Sequence, residues 1–124
     1  MIYKETILKN SDNSGVNWSK CIQVKGTCNK KIAKLGDMVL VCVFRSTSKK
    51  KIKKKKYWAV ISAAVAYTKR LDGSFVWFFK NKVLTLSEQL KFVGTRVYGP
   101  IPKEIRVGAG EVMYKKIISY TWTI

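Results

Sequence analysis

Histidine is absent from this sequence of 124 residues, and acidic residues, cysteine and proline are scarce. Without histidine, the chain lacks the usual general base near neutral pH and the commonest metal ligand. The three cysteines, Cys21, Cys28 and Cys42, show no CxxC spacing, which argues against a zinc site. Cys21 and Cys42 lie among apolar residues, so we expect buried thiols in a reducing compartment. These absences predict a protein with no catalytic residue, no cofactor and no metal site.

Long apolar segments and targeting signals are also missing. The longest nearly uncharged apolar stretch, Tyr57–Tyr67, is too short to cross a bilayer and predicts a buried strand. Charged residues interrupt the apolar residues of the N-terminus, which therefore does not resemble a secretory signal. Neither segment points to a membrane.

Positive charge is what the sequence has in excess. Lysine and arginine number 25 against 7 acidic residues, which gives a formal net charge of +18, and only 4 of the 25 are arginine. Like charges repel one another in a compact domain, so a polyanionic partner is indicated. Apolar residues make up 47% of the chain, which is too many for a disordered basic tail. We therefore expect a folded core under a strongly basic surface.

Turn residues alternate with β-type segments over most of the chain. The segment 38–44 is almost uniformly apolar, which predicts a strand buried on both faces. Asp72 and Gly73 lie between two β-type segments and are a strong hairpin signal. The predicted strands cover residues 2–8, 20–26, 38–44, 57–68, 74–79 and 81–89.

Short helices are predicted near the C-terminus. Pro102 suits the first turn of a helix, and Gly108–Gly110 should end that helix. Glu111–Tyr120 has helical apolar spacing, although its β-branched end is also compatible with a strand. Short strands followed by one or two helices predict a mainly β fold, a small β-barrel. We expect a single domain, residues 1–124, with a helical segment at about residues 102–120.

The segment Lys49–Lys56 contains seven lysines around Ile52. A basic stretch of this kind is compatible with a nuclear-address signal or a solvated, flexible segment. Here both flanking segments are predicted strands, which favours a loop held at both ends and in contact with RNA. Lysine neutralises phosphates as a point charge and does not fork onto a base edge. We therefore expect the loop to position RNA rather than to read its sequence, and to become ordered only when RNA is present.

Further basic residues are candidates for RNA contacts, with surface ion pairs as the alternative. Arginine is rare in this chain and suits bidentate phosphate contacts. The four tryptophans, Trp18, Trp58, Trp77 and Trp122, are more simply core or protein-contact residues than stacking partners for bases. The candidate RNA-binding residues are Lys30, Lys31, Lys34, Arg45, Lys49, Lys50, Lys51, Lys53, Lys54, Lys55, Lys56, Lys69, Arg70, Thr95, Arg96, Lys103 and Arg106.

Several sequence blocks, in this order along the chain, resemble a known family. They are Asp12–Gly15, Cys21–Gly26, Gly36–Asp37, Arg70–Phe78, Gly94–Arg106 and Lys116–Ser119. Together they resemble the universal large-subunit ribosomal protein fourteen family over nearly the whole chain. The last blocks carry its Gly-Thr-Arg-x-aromatic-Gly-Pro segment and the beginning of its C-terminal helix.

The resemblance implies a five-stranded β-barrel with a projecting β-ribbon and short C-terminal helices. It also implies a non-enzymatic protein that binds large-subunit ribosomal RNA near the face that meets the small subunit. Implied neighbours are large-subunit proteins three and nineteen, small-subunit RNA at an intersubunit bridge, and the ribosome silencing factor.

Two other classes of protein stay open from the residues alone. One is a small barrel-shaped nuclease, although the acidic residues are scattered and histidine is missing. The other is a free basic protein of the nucleus. The excess of Lys over Arg and of Ile over Ala, together with the Phe and Tyr content, favours a mitochondrial ribosome, and a bacterial or plastid ribosome is the alternative.

Overall fold

The computed structural model describes residues 2–26, 31–47 and 55–124 of the chain. In these ranges the fold is mainly β, and two short helices follow the strands. The strands are β1 (Ile7–Asn10), β2 (Val16–Val24), β3 (Met38–Ser46), β4 (Lys56–Ala63), β5 (Thr68–Lys69), β6 (Phe75–Val76) and β7 (Lys82–Leu86), and the helices are α1 (Ile105–Ala109) and α2 (Glu111–Ile118).

A closed barrel is formed by five of these strands, in the order β1-β2-β3-β4-β7. Neighbouring strands pair antiparallel except where β1 meets β7. There the two strands run parallel, with Lys9 opposite Lys82 and Asn10 opposite Val83. Closure leaves the barrel without an open sheet edge. The predicted five-stranded barrel is therefore confirmed.

Strand β4 is buried on both faces, which explains its almost unbroken apolar sequence. Tyr57, Ala59 and Ile61 belong to the core cluster inside the barrel. Val60 belongs to a second core cluster outside the barrel, which it shares with Ile105 and residues of the C-terminal segment. Apolar side chains on alternate faces are thus covered by two different cores. The prediction of a buried strand is confirmed for Tyr57–Ala63, whereas Val65 and Tyr67, beyond the end of β4, are exposed.

Strand β3 differs from the prediction that it is buried on both faces. Val39 and Val41 are fully buried, but Phe44 is 50% exposed. Because successive side chains point to opposite faces of a strand, the outer face of β3 is only partly covered. The two described cysteines follow the same division, since Cys21 is buried as predicted whereas Cys42 is only half-buried.

A polar network ties the strands together inside the barrel. Asn10 Nδ2 donates to Thr85 Oγ1 at 2.8 Å, and Asn10 Oδ1 accepts from Ser19 Oγ at 2.5 Å. The hydroxyl groups of Ser19 and Tyr57 share a further hydrogen bond. Buried polar groups destabilise a fold unless they are paired. This network therefore links β1, β2, β4 and β7 at a fixed register.

The hairpin predicted at Asp72 and Gly73 is confirmed as the two-stranded ribbon β5–β6. Arg70 N donates to Ser74 O at 2.8 Å, and Gly73 N donates to Arg70 O at 3.1 Å. Asp72 Oδ1 accepts from both Ser74 N at 3.0 Å and Ser74 Oγ at 2.6 Å. Gly73 has a φ of 88°, a left-handed conformation that glycine adopts without strain.

The C-terminal segment forms the two predicted short helices, but their boundary is different. Ile105 N donates to Pro102 O at 3.3 Å, so the first turn follows the proline as expected. Gly108 lies within α1, and the helix ends at Gly110, which has a φ of 85°. The Gly108–Gly110 segment therefore breaks the helix at its last residue only. Residues 111–118 are helical, which confirms the second predicted helix and excludes a strand there.

Candidate nucleic-acid interface

The predicted RNA-binding residues are divided between described and undescribed parts of the chain. Lys30, Lys49, Lys50, Lys51, Lys53 and Lys54 lie outside the described residues, as does the prediction that the lysine loop is ordered by RNA. The structure describes the other candidates, which are Lys31, Lys34, Arg45, Lys55, Lys56, Lys69, Arg70, Thr95, Arg96, Lys103 and Arg106. These lie in four different surroundings.

Lys55 and Lys56, the last residues of the lysine run, are exposed at the beginning of β4. Val43 N donates to Lys55 O at 2.9 Å, and Lys56 lies opposite Cys42. The two described lysines of the run therefore lie beside Cys42 and Val43 of β3. Arg45, near that end, is exposed, and its Cζ lies 6.0 Å from the centre of the Phe44 ring.

Residues 94–98, which we call the Arg96 loop, are held in place by Asn13 of the β1–β2 turn. Asn13 Oδ1 accepts hydrogen bonds from Thr95 N at 2.8 Å and from Arg96 N at 3.2 Å. Asn13 Nδ2 donates to Thr95 Oγ1 at 3.1 Å. At Gly94, a Cβ atom would lie only 2.9 Å from Asn13 Oδ1, so this close approach requires glycine. One side chain thus fixes the backbone of two candidate residues.

The Arg96 side chain is exposed and lies over an aromatic ring. Its Cζ is 5.5 Å from the centre of the Tyr98 ring, and Tyr98 itself is 50% exposed. Stacking on a ring leaves the guanidinium edge, with its fork of N–H donors, available to a planar acceptor. Buried Asp12 also holds the loop, because its backbone forms a β-bridge with Val97. Asp12 is itself fixed to β7, since its Oδ2 accepts a hydrogen bond from Thr85 N at 2.7 Å. The arrangement suits bidentate binding of phosphate.

Lys34 and Lys69 both line a cavity of about 670 Å³. The cavity lies between residues 32–37, residues 64–69 and helix α1. Lys31 is exposed beside it, one residue before Ile32 of the lining. This part of the surface joins two basic segments that the sequence places more than thirty residues apart.

Arg70 and Arg106 are already engaged by carboxylates. Arg70 Nε lies 2.7 Å from Glu104 Oε1, and Arg70 Nη2 donates to Ile124 O at 2.5 Å. Burial alone would raise the pKa of Glu104, but the hydrogen bonds from Arg70 hold it below its ordinary value. Arg106 Nε lies 2.6 Å from Glu111 Oε2. Both arginines therefore have structural partners, whereas Lys103 is exposed next to them.

Several residues that shape this surface were not among the sequence candidates. Asn13 holds the backbone of the Arg96 loop, and the Tyr98 ring lies under the Arg96 guanidinium. Lys9, Lys80 and Lys82 lie around Trp18 on the outside of the barrel, close to Arg45. Lys9 lies opposite Trp18 in the β1–β2 pair, but Lys80 and Lys82 come close only through the pairing of β1 with β7, which no local sequence signal reveals.

Comparison with protein families provides a match over the whole chain. A family model described as ribosomal protein L14p/L23e matches residues 1–124. In the part of the chain that the structure describes, no helix is long and apolar enough to cross a membrane.

Proposed function

The chain belongs to the ribosomal protein L14p/L23e family, and on that premise we propose that its basic surface binds large-subunit ribosomal RNA near the intersubunit face. Members of this family are structural and non-enzymatic, so the chain has a structural role in the large ribosomal subunit and in translation. The proposed contacts are the candidate residues of the sequence, with residues 1–124 acting as one domain.

The observation that carries the proposal is the preorganised Arg96 loop. Asn13 holds the backbone N–H groups of Thr95 and Arg96, and Tyr98 supports the guanidinium. A group fixed before binding loses less conformational entropy when its ligand arrives. The exposed N–H groups of the Arg96 guanidinium are therefore positioned to donate hydrogen bonds to a phosphate. Arg70 and Arg106 contribute less in this proposal, because Glu104 and Glu111 already occupy them.

The lysines act through charge rather than through shape. Each phosphate that a lysine neutralises releases condensed counterions, which favours binding at low salt. Lys56 begins a paired strand and Lys55 O accepts from Val43 N, so the described end of the lysine run lies at the barrel. This arrangement directs a dense positive charge to one place on the RNA without reading its sequence.

Family membership supports a further set of proposed neighbours. They are large-subunit proteins three and nineteen, small-subunit RNA at an intersubunit bridge, and the ribosome silencing factor. Chemical crosslinking of purified large subunits, followed by mass spectrometry, tests the neighbours within the subunit, proteins three and nineteen. Crosslinks from this chain to other subunit proteins only would contradict that part of the proposal.

We place the protein in a mitochondrial ribosome. The support is compositional, since Lys far outnumbers Arg and Ile outnumbers Ala. Mass spectrometry of ribosomes from purified mitochondria should identify the chain. Its recovery from plastid or cytoplasmic ribosomes instead would contradict this assignment.

The salt dependence of RNA binding tests the mechanism. The dissociation constant of the full chain for a large-subunit ribosomal RNA fragment should rise steeply with NaCl, with a log–log slope of about 0.7 to 0.9 per phosphate contacted. Arg96→Ala should lower that slope by about one such contact. Arg96→Lys should keep the slope but weaken binding, because an ammonium group cannot make the bidentate contact.

Two controls separate the site from general charge. Lys91→Ala removes one exposed positive charge elsewhere and should leave affinity almost unchanged at physiological salt. Asn13→Ala keeps every charge but frees the Arg96 loop, so it should weaken binding while leaving the charge of the chain unaltered. An affinity that does not depend on salt would overturn the proposal.

A further inference from the structure

Four cations surround Trp18 on the outer face of the barrel, and we call this group the Trp18 cluster: Lys9, Trp18, Arg45, Lys80 and Lys82. On the strands, Arg45 lies opposite Trp18, Trp18 opposite Lys9, and Lys9 opposite Lys82. These four residues therefore form a row across β3, β2, β1 and β7. Neighbouring strands are about 4.8 Å apart, so the row is roughly 14 Å long.

The burial of neighbouring residues places the row on the outside. Leu8 and Asn10, on either side of Lys9, are buried, whereas Lys9 is exposed. Ser19 is likewise fully buried beside the half-buried Trp18. Because side chains alternate between the two faces of a strand, the members of the row point away from the barrel interior.

The local geometry of β2 turns Trp18 toward this surface. The pairing of β2 with β3 is irregular on both sides of Trp18, between Val16 and Trp18 and between Trp18 and Ser19. Such bulges redirect a side chain and are common next to functional sites. Lys80 reaches the ring from the loop between β6 and β7, with its Nζ 5.9 Å from the ring centre. It is held there because Lys9 N donates to the adjacent Asn81 O at 3.0 Å.

The charges of the cluster are not used in the ion pairs that the structure describes. Those pairs join Glu5 to Lys20, Glu104 to Arg70 and Glu111 to Arg106, and none includes a member of the cluster. Four cations so close together repel one another, which an anionic ligand would relieve. The cluster extends toward the Arg96 loop at Lys82. A Cβ on Gly99, the residue that follows this loop, would lie 3.5 Å from Lys82 Nζ.

We propose that the Trp18 cluster binds an unpaired stretch of RNA, with the Trp18 ring stacked on a base and the surrounding cations on the flanking phosphates. This rests on the proposed RNA-binding function but adds a second site, with a different ligand conformation. Base–aromatic stacking tolerates any sequence, since every base has a π-face. The cluster therefore selects single-stranded over duplex RNA and has no strong base preference.

Single-stranded RNA fits the cluster better than either alternative polyanion. A duplex presents phosphates, but its bases are stacked on one another and expose no face to an aromatic side chain. An acidic protein segment would satisfy the cations and leave the tryptophan without a partner of matching chemistry. Only an unpaired nucleic acid supplies both a planar base and regularly spaced phosphates.

The first experiment measures the binding of the full chain to a fluorescently labelled single-stranded RNA of uniform sequence and to an RNA duplex. Trp18→Ala should weaken single-strand binding about 5- to 150-fold, the range for the loss of one stacked base. Trp18→Phe, which keeps an aromatic face, should retain most of the affinity. Trp122→Ala removes a tryptophan outside the cluster that is 63% exposed, and it should leave binding unchanged.

The cations are tested by the salt dependence of the same binding reaction. Lys9→Ala and Lys82→Ala should each lower the log–log slope by about 0.7. Lys4→Ala removes an equal charge from an exposed residue outside the cluster and should leave the slope unchanged. Circular dichroism verifies that each variant is folded, and if Trp18→Ala is not, Trp18→Phe and Lys80→Ala decide the outcome.

Three results would overturn the inference: equal losses for Trp18→Ala and Trp122→Ala, equal Trp18-dependent affinity for the duplex, or Trp18-dependent displacement of the RNA by a poly-glutamate peptide. Failure of the proposed function looks different, because the unaltered chain would then bind ribosomal RNA without salt dependence. If binding responds to Arg96→Ala but not to changes in the cluster, only this inference fails.

Discussion

The phenol of Tyr57 lies inside the barrel, where its hydroxyl group shares a hydrogen bond with Ser19 Oγ and lies 3.5 Å from Asn10 Nδ2. Burial raises the pKa of Tyr57 to about 12, although the hydrogen bonds from Ser19 and Asn10 partly oppose this effect. Burial disfavours the phenolate because the charged form loses its hydration. In the unfolded chain the same group ionises near its ordinary pKa of 10.0. Tyr57 therefore couples folding to alkaline pH.

The free energy of unfolding should fall between pH 10 and pH 12, the two pKa values of Tyr57. In that range the folded chain keeps the phenol proton and the unfolded chain has lost it, so rising pH favours unfolding. A difference of about two pKa units corresponds to about 2 to 3 kcal/mol. Urea titrations of the unaltered chain and of Tyr57→Phe at each pH isolate this contribution, since both chains lose lysine charge alike. Parallel pH curves for the two would contradict the prediction.

The arginines show how far sequence reasoning reaches at the scale of single residues. Arg70, Arg96 and Arg106 were equivalent candidates, because each is a rare arginine in a turn or helix-start segment. Glu104, which pairs with Arg70, is 34 residues away, and only the folded chain brings the two together. Arg96 instead meets Asn13, 83 residues away, which fixes its backbone and leaves its side chain exposed. A local sequence pattern singles out each arginine as a candidate, but it does not reveal which distant residue the arginine contacts.

Among the elements, helix α1 and the turn before β3 meet by direct backbone contact. A Cβ on Gly108 would lie 2.7 Å from Leu35 O and 2.8 Å from the Gly36 carbonyl carbon. A Cβ on Gly36 would lie 2.6 Å from Ile105 O. Gly36 N also donates to Ile61 O at 2.9 Å, so the turn itself is tied to β4. This pair of glycines lets α1 lie on the barrel.

Gly108→Ala should destabilise the protein, although alanine favours a helix over glycine by about 1 kcal/mol. The added methyl group meets backbone atoms that cannot rotate away, and such overpacking costs about 1 to 3 kcal/mol. Val107→Ala, at a neighbouring residue that is 91% exposed, should change stability by only a few tenths. Denaturant unfolding followed by circular dichroism compares the variants. A gain in stability for Gly108→Ala would show that this contact is loose.

Local elements were predictable where a local signal dominates. The Asp72-Gly73 turn predicted the β5–β6 ribbon, and the apolar run predicted the buried strand β4. The parallel pairing of β1 with β7 was not predictable, because it joins Lys9 to Lys82 across 73 residues of chain. The Trp18 cluster follows from that pairing, which is why sequence reasoning included only Arg45 of its cations. The exposure of Phe44 was not predicted, because hydrophobicity alone does not tell which face of a strand is covered.

At the scale of the molecule, the described residues form two apolar cores, which hold together a chain whose surface charge opposes compaction. One core lies inside the barrel, and the other lies between the outer faces of β4 and β7 and the C-terminal segment. The net charge of +18 opposes folding, because the like charges of the compact protein repel one another. The few acidic residues relieve this repulsion only locally, as in the pairs of Glu5 with Lys20 and Glu111 with Arg106. The free protein should therefore be less stable than the same protein with its charge screened.

The melting temperature of the free protein should accordingly rise by several degrees when NaCl is raised from about 10 mM to about 300 mM. Over that range the Debye length falls from about 30 Å to less than about 8 Å, so cations on different parts of the surface cease to repel one another. A variant in which the exposed Lys4, Lys91 and Lys115 are replaced by Gln should show a smaller rise, because it has less repulsion to screen. Differential scanning calorimetry of both proteins measures the effect, and sucrose in place of NaCl controls for stabilisation that does not involve charge. A melting temperature that stays constant or falls with NaCl would mean that the two cores are insensitive to the surface charge.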